Sequence, residues 1–220
     1  MNNVLVIAEV SVNHQGSMTK AIMLAKEAKR AGADIAKFQL FRNRPEIEHL
    51  RFSEWQIAEL HEYCCAIDIE FACTPFYLEA VAFLDPLVKR HKIASGWMRD
   101  RTIFNAAVAT GKPVIASMGM TGPVDWTRAR HDNISYLHCV SLYPCPDDKA
   151  HLAEVALCDG YSDHTVGTLA CVAAVAMDAQ IIEKHITFDK TAPGPDHACS
   201  AEPDEFADMV RQIRRLEVML

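Results

Sequence analysis

The sequence predicts an α/β protein, a single (β/α)₈ TIM barrel with short loops over residues 1–220. Short β-branched runs alternate eight times with segments of helical period, the pattern of a parallel sheet wrapped in helices. Polar residues gather at the ends of those runs, where such barrels carry their chemistry. An open doubly wound sheet fits less well, because the first run passes into Val12-Asn13-His14-Gln15-Gly16, with one glycine where a dinucleotide-binding turn needs several. Barrels of this kind usually run to ~250 residues, so this chain is expected to have no appended domain.

The first strand is expected within Val4–Val12. A helix over Thr19–Ala31 follows, with Ala21, Leu24, Ala25 and Ala28 at i, i+3, i+4 and i+7, and Gly32 ends it. The strand Ile35–Phe41 leads to a helix from Ser53 with Ile57, Leu60, His61 and Cys64 on one stripe. Glu70–Thr74 leads to a helix at Tyr77–Leu87, and His91–Ser95 to a helix at Thr102–Thr110, closed by Gly111 and Pro113. Val114–Met118 precedes a polar helical segment, Gly122–Arg130, and Ile134–Val140 precedes a brief helix at His151–Leu157. Asp159–Ser162 precedes the Ala-rich helix Val166–Ala179. Ile181–Phe188 precedes a last helix with Phe206, Met209, Val210, Ile213 and Leu216 on one face.

Composition narrows the function. Half of the residues are apolar, which excludes a disordered chain, and a net charge of −7 provides no basic field for nucleic acid or an anionic membrane. Any anionic ligand must be held by a local cluster. No C-x-x-C occurs, and Cys64, Cys65, Cys73, Cys139 and Cys171 sit in apolar runs, so they read as reduced core thiols of a cytoplasmic protein. Val4–Val12 lacks a basic flank and is interrupted by Glu9, unlike a signal peptide, and no uncharged stretch reaches transmembrane length.

Strand one carries Glu9, then Asn13 and His14. Strand two carries Lys37 and Gln39, strand three ends in Thr74, and strand four carries Lys92 and Ser95. Strand five ends in Ser117, strand six in His138, Ser141 and Tyr143, strand seven in Ser162, Asp163, His164 and Thr165, and strand eight in Glu183, Lys184 and His185. Each has an ordinary reading: Lys37 and Lys92 as ion-pair partners of Glu9 or Glu183, Ser162 or Thr165 as helix caps, His138 as a hydrogen-bonded core histidine. All of them converging on one mouth read better as a site, because buried lysines and carboxylates are costly unless paired. His164 and His185 end successive strands and suit a divalent metal, with Mn²⁺, Fe²⁺, Co²⁺ and Zn²⁺ all compatible. Thr74, Lys92, Ser95, Ser117 and Ser162 supply the donors that a small phosphorylated acid needs.

These residues resemble the sialic acid synthases, which join phosphoenolpyruvate to a sugar aldehyde. The matching stretches are Ile7–Gly16 (IAEVSVNHQG), Ala36–Gln39 (AKFQ), Cys73–Phe76 (CTPF), Lys92–Gly96 (KIASG) and Gly111–Met120 (GKPVIASMGM). They continue with Leu137–Pro144 (LHCVSLYP), Gly160–Thr165 (GYSDHT), Glu183–His185 (EKH) and Pro193–His197 (PGPDH). The resemblance implies that His164 and His185 hold the metal, Mn²⁺ first with Mg²⁺, Co²⁺ or Zn²⁺ as alternatives. It implies that Thr74, Lys92, Ser95, Ser117, Ser141 and Ser162 bind phosphoenolpyruvate. Glu9, Lys37, Tyr143 and Asp196 would face the aldehyde, with Glu9 handling protons. Three departures stand out: Ser141 replaces an asparagine common in the family, the loop Arg42–Phe52 is short, and a C-terminal antifreeze-like domain is not expected. The acceptor is therefore expected to be small, or the mouth to be completed by another chain, a second copy or a different partner. A metal-dependent pyruvate aldolase and a non-catalytic carbohydrate- or partner-binding barrel remain the rival readings.

Overall fold

The computed structural model describes residues 3–121 and 132–220. Eight parallel strands run β1 (Leu5–Glu9), β2 (Ile35–Leu40), β3 (Glu70–Pro75), β4 (His91–Ile93), β5 (Val114–Ser117), β6 (Ile134–Cys139), β7 (Gly160–Asp163) and β8 (Ile181–His185). Their hydrogen-bonded order is β3-β2-β1-β8-β7-β6-β5-β4, and the two end strands lie side by side, so the sheet wraps into the predicted barrel. Among the described residues β3 and β4 share no backbone ladder. At the entrance of that seam, Arg90 donates through Nε and Nη2 to the two carboxylate oxygens of Glu70 (2.7 and 3.2 Å).

The helices form where the apolar period requires them. α1 (Met18–Arg30) buries Ala21, Leu24, Ala25 and Ala28 as the spacing predicts, with the Ser17 hydroxyl accepting from Lys20 N–H. Gly32 follows at φ +87, and a Cβ there would press on Val210 of the last helix. α2 (Glu54–Ala66) starts at Ser53, whose hydroxyl accepts from Gln56 N–H while the Gln56 side chain accepts from Ser53 N–H. This reciprocal cap satisfies donors that the first turn leaves unpaired. Ser53→Ala should lower stability by about 1 kcal/mol in urea unfolding. α7 (Pro203–Met219) buries Phe206, Met209, Val210 and Ile213.

Several boundaries differ from the pattern. α3 (Leu78–Leu84) stops before Pro86 and continues as a 3₁₀ turn, Asp85–Leu87. β4 is only three residues long, because the chain turns at Ala94 and Ser95 into a short helix, α4 (Trp97–Asp100), which the sequence reading did not contain. Arg101 at φ +61 separates α4 from α5 (Thr102–Ala109). The expected helix at His151–Leu157 is a 3₁₀ segment, Leu152–Leu157. The Ala-rich helix begins only at Leu169 (α6, Leu169–Ala176), because Gly167 at φ +82 breaks the path from β7. The proposed caps Ser162 and Thr165 therefore cap nothing: Ser162 bonds Glu183 and Thr165 bonds Asp163. The segment Gly122–Arg130 lies outside the described residues. All eight cysteines are free, but Cys65 is exposed rather than a core thiol. No helix among the described residues is long and apolar enough to cross a membrane.

Inside the barrel, Ile7, Ile35, Ala72, Ile115, Leu137 and Ile181 pack as one buried cluster. Side chains two positions apart on a strand share a face. The next inward layer is therefore Glu9, Lys37, Thr74, Ser117, Cys139 and Glu183, and all six line one cavity. Apolar residues thus floor the barrel, and polar ones fill its mouth.

Candidate functional site

The cavity at the C-terminal ends of the strands has a volume of about 700 Å³. It brings together Glu9, Lys37, Thr74, Lys92, Ser95, Ser117, Tyr143, Ser162, His164, His185 and Asp196. Ser141 stands behind this lining, its hydroxyl 3.1 Å from that of Ser95.

The buried charges form one array. Lys37 pairs with Glu9, lies 3.3 Å from Glu183 Oε2 and donates to Thr74 Oγ1 (3.3 Å). Lys92 donates to Ser117 Oγ (2.7 Å) and lies 3.5 Å from Glu183 Oε1, which also accepts from Ser162 Oγ (2.8 Å). Burial lowers the Lys37 pKa to about 8, against the attraction of Glu183. Burial pushes Glu183 up, but Lys37, Lys92 and the Ser162 hydroxyl pull it down to about 2. A lysine in this mouth therefore does not wait for a ligand to supply its counterion: Glu183 sits beside both.

Glu183 is the central residue, and it is the ion-pair partner that the sequence offers for Lys37 and Lys92. The signal was available, since it lies two positions before His185 on one strand and shares its inward face. Gln39 and Cys139 also line the cavity, and Cys139 is a protonated thiol whose sulfur accepts from Gly119 N–H (3.1 Å). Arg44, Glu46 and Ile47 of the loop after β2 form part of the rim. The other two arginines of that loop are paired, Arg42 with Glu79 and Arg51 with Glu48.

The rings of His164 and His185 lie tilted to one another with centres 5.5 Å apart, and Tyr143 lies tilted against His164 at 4.1 Å. His164 Nδ1 donates to the Val140 carbonyl (2.7 Å), which leaves the lone pair on Nε2. Burial lowers the pKa of His164 to about 4 and that of His185 to about 3, so both rings are neutral at pH 7. His185 Nδ1 is buried without a hydrogen-bond partner. The lining sets Lys37, Arg44 and Lys92 against Glu9, Glu46, Glu183 and Asp196, an excess of carboxylate. Two neutral imidazoles, an orphaned ring nitrogen and surplus negative charge together fit a bound cation. Among the described residues no third His, Cys or carboxylate completes a protein-only metal cluster, so water or substrate would fill the remaining positions.

Other polar strand-end residues, Asn13, His14, His138, Asp163, Thr165 and Lys184, do not line the cavity. His138 holds the Ala150 carbonyl (2.9 Å) and stacks on Tyr161, as a core histidine does. His14 stacks on Phe52 at 4.0 Å, and Asn13 donates to Ile186 O and Ser200 Oγ.

Comparison with known proteins agrees with this architecture. The chain is 40% identical to an uncharacterized protein, MJ1065, of Methanocaldococcus jannaschii, over 98% of this chain and 71% of that protein. That alignment runs over 240 positions, more than the 220 residues present here, so the relative carries segments that this chain lacks. The chain is 34% identical to an N,N'-diacetyllegionaminic acid synthase of Legionella pneumophila, over 98% of this chain and 72% of that one. The crystal structure of a sialic acid synthetase from Leptospira borgpetersenii, in complex with citrate, superposes with a TM-score of 0.90 at 32% identity, covering 99% of this chain and 85% of that one. Residues 45–220 match the NeuB family, and with the barrel and its mouth built as described, the chain belongs to that family.

Proposed function

We propose that this chain is a transferase that condenses phosphoenolpyruvate with the aldehyde of a sugar, giving a 2-keto-3-deoxy acid and phosphate. The observation that carries this reading is the meeting of two buried lysines, four hydroxyls and two neutral histidines in one barrel mouth of a NeuB-family chain. Lys92, with Thr74, Ser95, Ser117 and Ser162, binds the phosphate and carboxylate of phosphoenolpyruvate, and Ser141 supports Ser95 from behind. Lys37, Tyr143 and Asp196 orient the aldehyde. C3 of phosphoenolpyruvate attacks the aldehyde carbon, water adds at C2, and phosphate leaves. Glu9, which faces Lys37, takes and returns protons at the acceptor oxygen and the incoming water. His164 and His185 would hold a divalent cation, Mn²⁺ by preference, which supplies Lewis-acid polarisation of the aldehyde.

The test is phosphate release from phosphoenolpyruvate, with Mn²⁺ and a panel of aldoses and 2-acetamido hexoses, and mass spectrometry of the product. A pyruvate aldolase would make carbon–carbon bonds without releasing phosphate, and a binding-only barrel would do neither. A chelator should abolish turnover, and His164→Ala or His185→Ala should weaken Mn²⁺ retention by about 100-fold or more while the barrel stays folded. Turnover by the double variant at the wild-type rate in chelator would remove the metal assignment.

A further inference from the structure

Ser11 follows β1 by two residues and adopts φ +48, a left-handed conformation that costs a side chain with a Cβ more than it costs glycine. It is 1% exposed, in a buried turn that Asn13 N–H closes on the Val10 carbonyl (3.0 Å). Conformations of this kind persist only where their surroundings over-determine them. Three contacts do so here. The Ser11 N–H donates to Glu9 Oε1 (2.7 Å), Gln39 Nε2 donates to Ser11 Oγ (2.8 Å), and Ser11 Oγ donates to Asp196 Oδ2.

The direction of these bonds is fixed by chemistry. A hydroxyl has one proton, and the Gln39 amide occupies the oxygen as a donor, so that proton is committed to the Asp196 carboxylate. Asp196 lies 185 residues along the chain, on the segment after β8. Its backbone carbonyl is held by Ser200 Oγ (2.7 Å) and Cys199 Sγ (3.2 Å), which place the residue but leave its side chain free to turn. The same carboxylate oxygen lies 3.8 Å from His185 Nδ1, beyond hydrogen-bond reach.

We propose that Ser11 is a positioning residue: its amide and hydroxyl hold Glu9 and Asp196 in fixed relation across the acceptor end of the mouth. The inference rests on the condensation reading for its kinetic consequence, and on the geometry alone for the placement of Asp196. Among the described residues no hydrogen bond joins Ser11 to Thr74, Lys92 or Ser117, so its effect should fall on the aldehyde and spare phosphoenolpyruvate.

Ser11→Gly is the informative variant, because glycine accepts the left-handed backbone, keeps the amide to Glu9 and removes only the hydroxyl. The expected result is a loss in kcat/KM for the aldehyde of about tenfold or more, the scale of a hydrogen bond to a charged group. The KM for phosphoenolpyruvate should stay within twofold, and Tm should not fall. In an Asp196→Asn background, Ser11→Gly should add less than twofold, since both changes break the same link. Wild-type aldehyde kinetics in Ser11→Gly, or full additivity with Asp196→Asn, would overturn the inference and leave the condensation reading intact. If the wild type releases no phosphate with any aldehyde, the condensation reading fails, and the crystal structure of Ser11→Gly then decides alone. An Asp196 carboxylate turned away from β1 supports the positioning role, and an unmoved one overturns it.

Discussion

Glu183→Gln is expected to weaken the fold and disable the site together. Glutamine keeps the shape of the side chain and withdraws the charge, leaving Lys37 with Glu9 and taking from Lys92 the carboxylate beside it. Removing one partner of a buried ion pair costs about 3–5 kcal/mol, which urea unfolding at pH 7 would read. Phosphate release should fall by about 100-fold or more, the scale of losing one preorganised charge contact. The pH dependence separates this from a packing defect. Glu183 titrates at about 2 in the folded protein against 4.5 when unperturbed, so its contribution is complete above pH 4.5 and disappears as pH falls towards 2. The stability gap between wild type and variant should therefore close across that interval. Lys37 shifts in the opposite sense: without Glu183 its ammonium loses that attraction, and it should deprotonate below the present value of about 8. A stability gap that stayed constant from pH 5 to 2 would show that Glu183 is not the ionised counterion.

The second large effect is expected on the outward face of the same strands. Lys184 is fully buried and donates to Asp163 Oδ2 (2.6 Å) and to the Thr165 carbonyl (2.7 Å). Asp163 Oδ1 accepts from Tyr161 OH and from both the N–H and the hydroxyl of Thr165. Burial alone would raise the Asp163 pKa, but Lys184 and these donors bring it below the ordinary carboxylate value. Lys184→Met leaves the buried carboxylate without its cation and should cost about 3–5 kcal/mol. Adding Asp163→Asn neutralises the stranded charge and keeps an acceptor, so the double variant should recover about 1–3 kcal/mol relative to additivity. A loss in the double variant equal to the sum of the two single losses, read from urea unfolding, would show that the two groups do not act as a pair.

The residues that were legible in the sequence are those whose placement is locally dictated. The stripes of α1 and α7 follow from burial of one helical face, and Lys37, Lys92, His164 and His185 stand out because polar side chains inside apolar runs need a reason. Strand ends were less legible. β8 was read through Phe188, yet Ile186 leaves the ladder to bridge Ala201, a partner supplied by the returning chain. β4 was read through Ser95, but the turn into α4 takes those residues. Ser11 is not legible locally, because the partners of its hydroxyl, Gln39 and Asp196, are brought beside it only by the closed barrel. Glu183 is legible as a lysine partner, and strand alternation puts it on one face with His185, but that it pairs with both lysines at once shows only in the closed barrel.

The missing ladder between β3 and β4 gives the barrel an open stave. Arg90 and Glu70 clasp it at the entrance end, where the chain enters both strands. At the opposite end, Thr74 closes one side of the gap and Lys92 the other, and both look into the cavity. An anion gripped by the two at once would bridge what the backbone leaves unjoined. The ligand would then be the last hoop of the cask, and the empty barrel would be the looser one.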